Sequence, residues 1–153
     1  MPKTHLTDEK LTTGIAKGMM QIIPTIRKKL LYIDILQDEF NLTLSHIQVL
    51  VTLDYSGTVP VGDISKRLGI AKPNVTPLID KLIKMGYVSR KRDVNDRRIV
   101  QVTLTADGNV ALEKMQTLIA EQMRDWIGEL SLAEARELEQ SLSCIARIFS
   151  LIG

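Results

Sequence analysis

The sequence predicts a mainly α-helical fold that contains one small two-stranded β-wing, and three observations support this prediction. Apolar side chains recur every three or four residues through most of the chain, which is the period of an amphipathic helix. Between residues 61 and 86, a short helix is followed by a glycine and a second helix, which is the order of a helix-turn-helix. Residues 99–104 alternate with the period of a strand.

The N-terminal part of the chain, residues 7–40, predicts one long amphipathic helix. Thr7 is suited to cap it, and Pro24 is expected to kink or split it because proline lacks an N–H. The apolar positions recur in steps of three and four: Leu11, Ile15, Met19, Ile22, Ile26, Leu30, Ile33, Leu36 and Phe40.

A second helix is predicted from the N-cap Thr43 to Gly57. We expect His46 to be an exposed residue of its first turn. The apolar residues of this helix are Ile47, Leu50, Val51 and Leu53.

The helix-turn-helix begins with a short helix from Val61 to Leu68, which Gly69 ends because a left-handed C-cap favours glycine. The next helix ends at Gly86, and its start has two alternatives. If it starts at Lys72, Pro77 removes one hydrogen bond. If Asn74 is the N-cap, Pro77 falls where no donor is needed. Its predicted buried stripe is Val75, Leu78, Ile79, Leu82 and Ile83.

A hairpin follows, with its turn at Asn95 and Asp96, residue types that tolerate a left-handed backbone. Thr105 then caps a helix of about six turns, which Gly128 ends. Ser131 and Glu134 form a capping box at the start of the last helix. The apolar positions of these two helices are Leu112, Met115, Ile119, Met123, Trp126 and Ile127, then Leu138, Leu142, Ile145, Phe149 and Ile152.

The outer helices are apolar on more than one face, and a wide apolar stripe needs a second neighbour. We therefore predict a C2 homodimer formed by both chain ends. In this prediction the chain, residues 1–153, is a single domain. Residues 7–40 and 106–152 are dimerisation helices, and residues 44–104 form the winged helix-turn-helix lobe.

Composition favours an ordinary globular protein, with 44% hydrophobic and 25% charged residues. The sequence has no run of 18 apolar residues and no recognisable secretion signal at its N-terminus. Its one cysteine, Cys144, cannot form an internal disulfide, so we expect a cytoplasmic protein.

Charge is distributed unevenly along the chain. Residues 72–98 hold eight basic and three acidic side chains, a net charge of +5. Residues 121–140 hold two basic and six acidic side chains, a net charge of −4. This asymmetry favours a polyanion that binds the middle of the chain. A helix able to enter the major groove of DNA, next to a cationic ribbon, predicts a DNA reader.

A family resemblance rests on the wing. The motif Asp93-x-x-Asp96-Arg97-Arg98, followed by Val100-x-Val102-x-Leu104-Thr105-x-x-Gly108, resembles that of MarR-type winged helix-turn-helix transcription regulators. Residues 69–86 resemble the recognition segment of that family, and Leu130-Ser131-x-x-Glu134 resembles the start of its last helix. The departures are Val94, where proline is frequent, and Ala71, where serine is common.

The resemblance covers residues 8–152 and implies a homodimeric, cytoplasmic prokaryotic regulator, usually a repressor. The implied partners are double-stranded DNA carrying a pseudo-palindromic operator and, often, a small aromatic or anionic effector or an oxidant. The resemblance also implies that Asp96 holds Arg98, which enters the minor groove.

The predicted DNA-binding residues lie on the recognition helix and the wing. Asn74 and Thr76 are suited to base edges, whereas Lys72 and Lys81 are suited to phosphates. Arginine is favoured in a narrow minor groove, so we expect the arginines at the wing tip to enter it. The complete set is Lys72, Asn74, Val75, Thr76, Lys81, Arg90, Lys91, Arg92, Asp96, Arg97 and Arg98.

Three alternatives stay open. The fold could be a winged-helix module that binds protein. Cys144 could be an oxidant sensor, although a buried structural cysteine is the expectation. An effector pocket could be lined by Met19, Met20, Met115 and Met123, although methionine at helical spacing is more often core. We find no sequence motif for an enzyme, a cofactor or a metal, so none of these is expected.

Overall fold

The computed structural model describes residues 9–29 and 33–151, which fall into two compact units separated after residue 32. The first unit contributes helix α1 (Glu9–Lys29), and the predicted cap Thr7 lies outside the described residues. Pro24 lies inside α1 and does not end it. Of the two outcomes predicted at Pro24, a kink or a split, the split is not observed.

The second unit contains a winged helix-turn-helix. Its sheet has the strand order β1-β3-β2, and all pairs are antiparallel. The elements are α2 (Ile33–Phe40), α3 (Leu44–Ser56), β1 (Val59–Pro60), α4 (Val61–Leu68), α5 (Lys72–Lys84), β2 (Val88–Arg92), β3 (Val100–Leu104), α6 (Ala106–Ile127) and α7 (Leu132–Ser150).

Strand β1 was not predicted. It consists of two residues, with Val59 opposite Val102 and Pro60 opposite Gln101. A strand of two residues is too short to show the alternation by which a strand is recognised in a sequence. The two-stranded wing predicted from residues 88–104 is therefore part of a three-stranded sheet.

The core lies between the helix-turn-helix and the sheet. Its fully buried members include Val49, Leu50, Leu53, Ile64, Val75, Leu82 and Val102. Leu36 of α2 joins this core, so the end of the predicted dimerisation segment 7–40 packs into the winged-helix lobe. Val51, another apolar residue of α3, is 46% exposed. Leu50 and Leu53 occupy the buried face of α3. The side chain of Val51 is rotated about 100° from that of Leu50 around the helix axis.

Thr43 is the N-cap of α3, as predicted, and the buried side chain of His46 completes this cap. The Nδ1 atom of His46 lies 2.6 Å from the Thr43 hydroxyl and accepts a hydrogen bond from the Thr43 backbone N–H at 3.1 Å. His46 is only 6% exposed, so the prediction of an exposed residue was wrong. Burial and the nearby Lys81 ammonium lower the pKa of His46 below its ordinary value.

The junction between the wing and α6 is built around Thr105 and Gly108. The Thr105 hydroxyl accepts a hydrogen bond from the Gly108 N–H at 2.9 Å and donates one to the Gly86 carbonyl at 2.5 Å. A Cβ on Gly108 would lie 1.9 Å from the carbonyl oxygen of Tyr87. The glycine therefore lets the first turn of α6 lie against the backbone at the start of the wing.

Helix α7 is opened by the predicted capping box. The Ser131 hydroxyl donates to the Glu134 carboxylate at 2.7 Å and the Ser131 backbone N–H donates at 2.8 Å. The hydroxyl bond, followed by the backbone bond, lowers the pKa of Glu134. Within α7, all of whose residues are described, none is buried. Its exposed apolar side chains are Leu132, Leu142, Ile145, Ile148 and Phe149. Cys144 is also exposed, so the prediction of a buried cysteine was wrong for the single chain.

Candidate nucleic-acid interface

The recognition helix α5 begins at Lys72, with Ala71 as its N-cap, which decides between the two predicted starts. The Asn74 N–H donates to the Ala71 carbonyl at 2.8 Å. Pro77 consequently lies inside the helix, and its missing N–H leaves out one backbone hydrogen bond. This start leaves Lys72, Asn74 and Thr76 exposed on the N-terminal turns.

Val75 must be removed from the predicted DNA contacts. Its side chain is 0% exposed and packs in the core with Ile79 and Leu82. Consecutive residues of a helix are rotated by about 100°, so Asn74 and Thr76 can both be exposed while Val75 between them faces the interior.

Two cations predicted to contact phosphates are engaged within the protein. The Lys81 ammonium donates to the main-chain carbonyl of Asn41, a residue in the left-handed conformation with φ of 52°. The Arg90 guanidinium lies 2.9 Å from the Asp80 carboxylate. Lys81 is half-buried and directed at the loop between α2 and α3. Lys81 follows Asn74 by seven positions, about two turns along the same side of α5, and its ammonium is engaged at this carbonyl.

The wing tip, residues 93–99, is organised by two aspartates. The Asp93 carboxylate accepts hydrogen bonds from the N–H groups of Asn95 and Asp96, at 2.8 and 3.1 Å. The Asp96 carboxylate accepts one from the Arg98 N–H at 2.9 Å. Outside glycine, Asn41 is the one described residue with a positive φ, so the turn does not use the left-handed backbone that Asn95 and Asp96 would tolerate.

The relation between Asp96 and Arg98 differs from the one that the resemblance implied. Asp96 holds the backbone N–H of Arg98, and within the described part of the chain it forms no ion pair with the guanidinium. The side chains of Arg97 and Arg98 are exposed, as are those of Lys91 and Arg92. The guanidinium groups of the tip are therefore accessible to a ligand.

A groove of about 560 Å³ brings the recognition helix and the wing together. Lys72 and Thr76 line it from α5, and Arg90 and Arg98 line it from the wing. Lys66 of α4 also lines it, 3.7 Å from Asp63. Lys66 was not predicted, although a basic side chain in the last turn of the first helix of a helix-turn-helix was a usable signal. The groove thus collects basic side chains from three elements.

The four methionines considered for an effector pocket differ in exposure. Met115 is buried in the core, and Met123 is half-buried beside α7. Met19 and Met20 lie exposed on α1.

Across residues 9–29 and 33–151, His, Cys, Asp and Glu form no group suited to a metal ion. No helix in these ranges has the length and hydropathy of a membrane span.

Known proteins resemble this chain in sequence over the winged helix-turn-helix. The MarR family model matches residues 42–100, which run from the end of the α2–α3 loop to the start of β3. The HTH-type transcriptional regulator YfiV of Bacillus subtilis (strain 168), itself uncharacterised, is 28% identical over 109 residues, covering 71% of this chain and 68% of YfiV.

Solved structures share the fold. A MarR transcriptional regulator from Methanosarcina mazei Go1 has a TM-score of 0.68 at 24% identity, covering 92% of this chain and 99% of that protein. A mutant of MarR from E. coli, crystallised with operator DNA, has a TM-score of 0.60 at 22% identity, covering 84% of this chain and 93% of that protein. The winged helix-turn-helix of this chain matches the MarR family model over residues 42–100, and its fold is shared with MarR structures over most of its length.

Proposed function

We propose that this protein is a homodimeric, sequence-specific DNA-binding transcription regulator, a repressor that a small aromatic or anionic effector releases from its operator. The observation that supports this proposal best is the groove shared by the two reading elements. Lys72 and Thr76 of α5 line the same groove as Arg90 and Arg98 of the wing. A polyanion in this groove would meet basic side chains from both the recognition helix and the wing.

The N-terminal turns of α5 are the part that reads bases. Asn74 and Thr76 are exposed, and neither side chain is held by a hydrogen bond described within the protein. Asparagine can form a bidentate pair with adenine, and threonine can donate, accept or touch a thymine methyl in the major groove. Lys72 and the adjacent Lys66 contact phosphates, which fix the orientation of the helix without specifying sequence.

The wing is the part that reaches the minor groove. Arg97 and Arg98 are exposed at its tip, where a narrow minor groove would attract them through its negative potential. Lys91 and Arg92 extend the basic surface along β2 toward the backbone phosphates. Arg90 can join them if it exchanges its ion pair with Asp80, because both side chains are about half exposed.

The homodimer is supported by apolar side chains left exposed at both chain ends. In α1 these include Leu11, Ile15 and Met19, and in α7 they include Ile148 and Phe149. A second copy that covered these residues would place two recognition helices about one helical turn of DNA apart, ~34–36 Å, as an inverted repeat requires.

Other functions are less well supported. A winged-helix module that binds protein would not need a net charge of +5 in residues 72–98. A redox regulator would rest on Cys144, which is exposed and lies 3.8 Å from the Arg147 guanidinium. Relatives of this chain carry the name of transcriptional regulators, so we propose that it has no enzymatic activity.

The test is a selection of DNA from a random-sequence pool by the purified protein, followed by binding of the selected duplex across salt concentrations. We expect an inverted repeat and a steep salt dependence, since each neutralised phosphate contributes about 0.9 to the slope of log K against log salt. Flat, weak binding without sequence preference would favour the protein-binding module. A monomeric mass in light scattering would reject the dimer.

A further inference from the structure

Asp93 lies where the two long strands of the wing end. Its backbone N–H donates to the Ile99 carbonyl at 2.9 Å, and the Ile99 N–H donates in turn to the Asp96 carbonyl at 2.9 Å. These main-chain bonds close the loop but leave the N–H groups of Asn95 and Asp96 to other acceptors. The Asp93 carboxylate supplies the acceptor for both.

The two oxygens of this carboxylate have separate partners. Oδ1 accepts from the two tip N–H groups, at 2.8 Å from Asn95 and 3.1 Å from Asp96. Oδ2 accepts from the Gln101 side-chain amide at 3.0 Å. The Gln101 amide, followed by the two N–H groups, holds the pKa of Asp93 below its usual range, so the carboxylate is ionised at neutral pH. One side chain thus connects the tip to strand β3.

Gln101 is held in place mainly by this contact. Its Oε1 atom is buried and has no hydrogen-bond partner among the described residues. Turning the amide over would point Oε1 at the Asp93 carboxylate, so that two acceptors would face each other. The observed orientation leaves one buried acceptor unsatisfied in order to keep the bond to Asp93.

We propose that Asp93, braced by Gln101, is a positioning residue for DNA recognition that fixes the tip backbone so that Arg97 and Arg98 meet the duplex in one arrangement. This inference rests on the proposed function. Asp93 does not touch DNA in this role; it acts through the backbone that carries the two arginines. Ordering this loop before binding removes an entropic cost from association.

The sign of the effect separates this role from simple electrostatics. Asp93 carries a negative charge on a surface that would face phosphates, so removing it should tighten DNA binding if charge alone matters. If Asp93 positions the tip, Asp93→Ala should weaken binding although the net charge becomes more positive. We expect a loss of roughly tenfold, the fold-change typical of losing one specific contact.

The experiment measures binding of full-length variants to the duplex that the wild-type protein selects from a random pool. Asp63→Ala is the matched control, because Asp63 is a half-exposed carboxylate that lines the groove between α5 and the wing and is paired with Lys66. Its removal should tighten binding. The double variant Asp93→Asn with Gln101→Glu keeps the net charge and restores the donor–acceptor pair in reverse. It should recover most of the affinity that Asp93→Ala loses.

Amide hydrogen exchange gives a readout that does not need DNA. The N–H groups of Asn95 and Asp96 should exchange slowly in the wild type and faster in Asp93→Ala, with α5 unchanged. Tighter binding by Asp93→Ala, unchanged affinity or unchanged exchange would each overturn the proposal. If the wild type selects no duplex, the proposed function fails and the DNA-positioning role fails with it, while the exchange rates still decide whether Asp93 orders the tip.

Discussion

Arg90 of β2 is joined to Asp80 of α5 by an ion pair with an N–O distance of 2.9 Å. The pair links the base of the wing to the middle of the recognition helix. Both side chains are about half exposed, so its contribution to the free energy of unfolding is small, about 0–1 kcal/mol. Its larger consequence is for binding, because it neutralises a guanidinium on the face proposed to meet DNA.

Replacing Asp80 by alanine should therefore strengthen DNA binding with little change in stability. The freed Arg90 can take up a phosphate, which would raise the salt slope by about 0.9. Fluorescence anisotropy with the selected duplex across salt concentrations measures both quantities. A double-mutant cycle with Arg90→Ala should give a coupling free energy of about 0.2–1 kcal/mol in thermal unfolding. Weaker binding by Asp80→Ala would show that the pair orients the wing.

Replacing Arg98 by alanine should weaken operator binding and lower the salt slope by about 0.9, with the fold intact. The reason is that this guanidinium is exposed at the tip and also lines the groove shared with α5. Arg124→Ala on the acidic segment of α6 removes the same charge elsewhere and should leave both quantities unchanged. An Arg98→Ala protein that is folded and binds with unchanged affinity would remove the wing from the proposed mechanism.

Replacing Gly108 by alanine should destabilise the protein, because the new Cβ would lie 1.9 Å from the Tyr87 carbonyl oxygen and 2.9 Å from its carbon. The backbone of the wing or of α6 has to move, at a cost of about 1–3 kcal/mol or more. Thermal unfolding should show this as a Tm lowered by several degrees. Asn109→Ala, one residue along on the exposed side of α6, should leave Tm unchanged or raise it.

Local signals in the sequence predicted most of the second unit. The caps Thr43, Thr105 and Ser131 act through their own or adjacent residues, and all three begin helices where expected. The bounds of α4 likewise follow from Gly69, whose φ of 62° suits glycine. These features depend on interactions within a few residues of the chain, so a sequence pattern is sufficient to find them.

Other features depend on contacts that are distant in sequence, and these were missed. Lys81 donates to a carbonyl forty positions earlier, so its place on a helical wheel could not reveal that it is engaged. Val75 was predicted to contact DNA, although its spacing with Ile79 and Leu82 also predicted burial. The structure places its side chain in the core. The partner of Asp93, Gln101, lies across the hairpin and is defined by strand register.

The histidine cap of α3 predicts how stability depends on pH. Burial and Lys81 lower the pKa of His46 in the folded state, so the unfolded chain binds the proton more readily. The cap also needs a neutral ring, because Nδ1 accepts the Thr43 N–H. Stability should be complete above the ordinary histidine pKa of about 6.5 and should fall as the pH drops below it.

The matched variant is His46→Gln, since glutamine at the third helical position can form the same capping box but does not titrate. Urea unfolding between pH 7.5 and 5 should show the wild type losing stability below about pH 6.5 and the variant losing less over the same window. The difference between the two curves isolates His46 from other groups that titrate. Parallel curves would mean that the ring keeps its ordinary pKa, and the capping bond from Thr43 would then contribute nothing to the pH dependence.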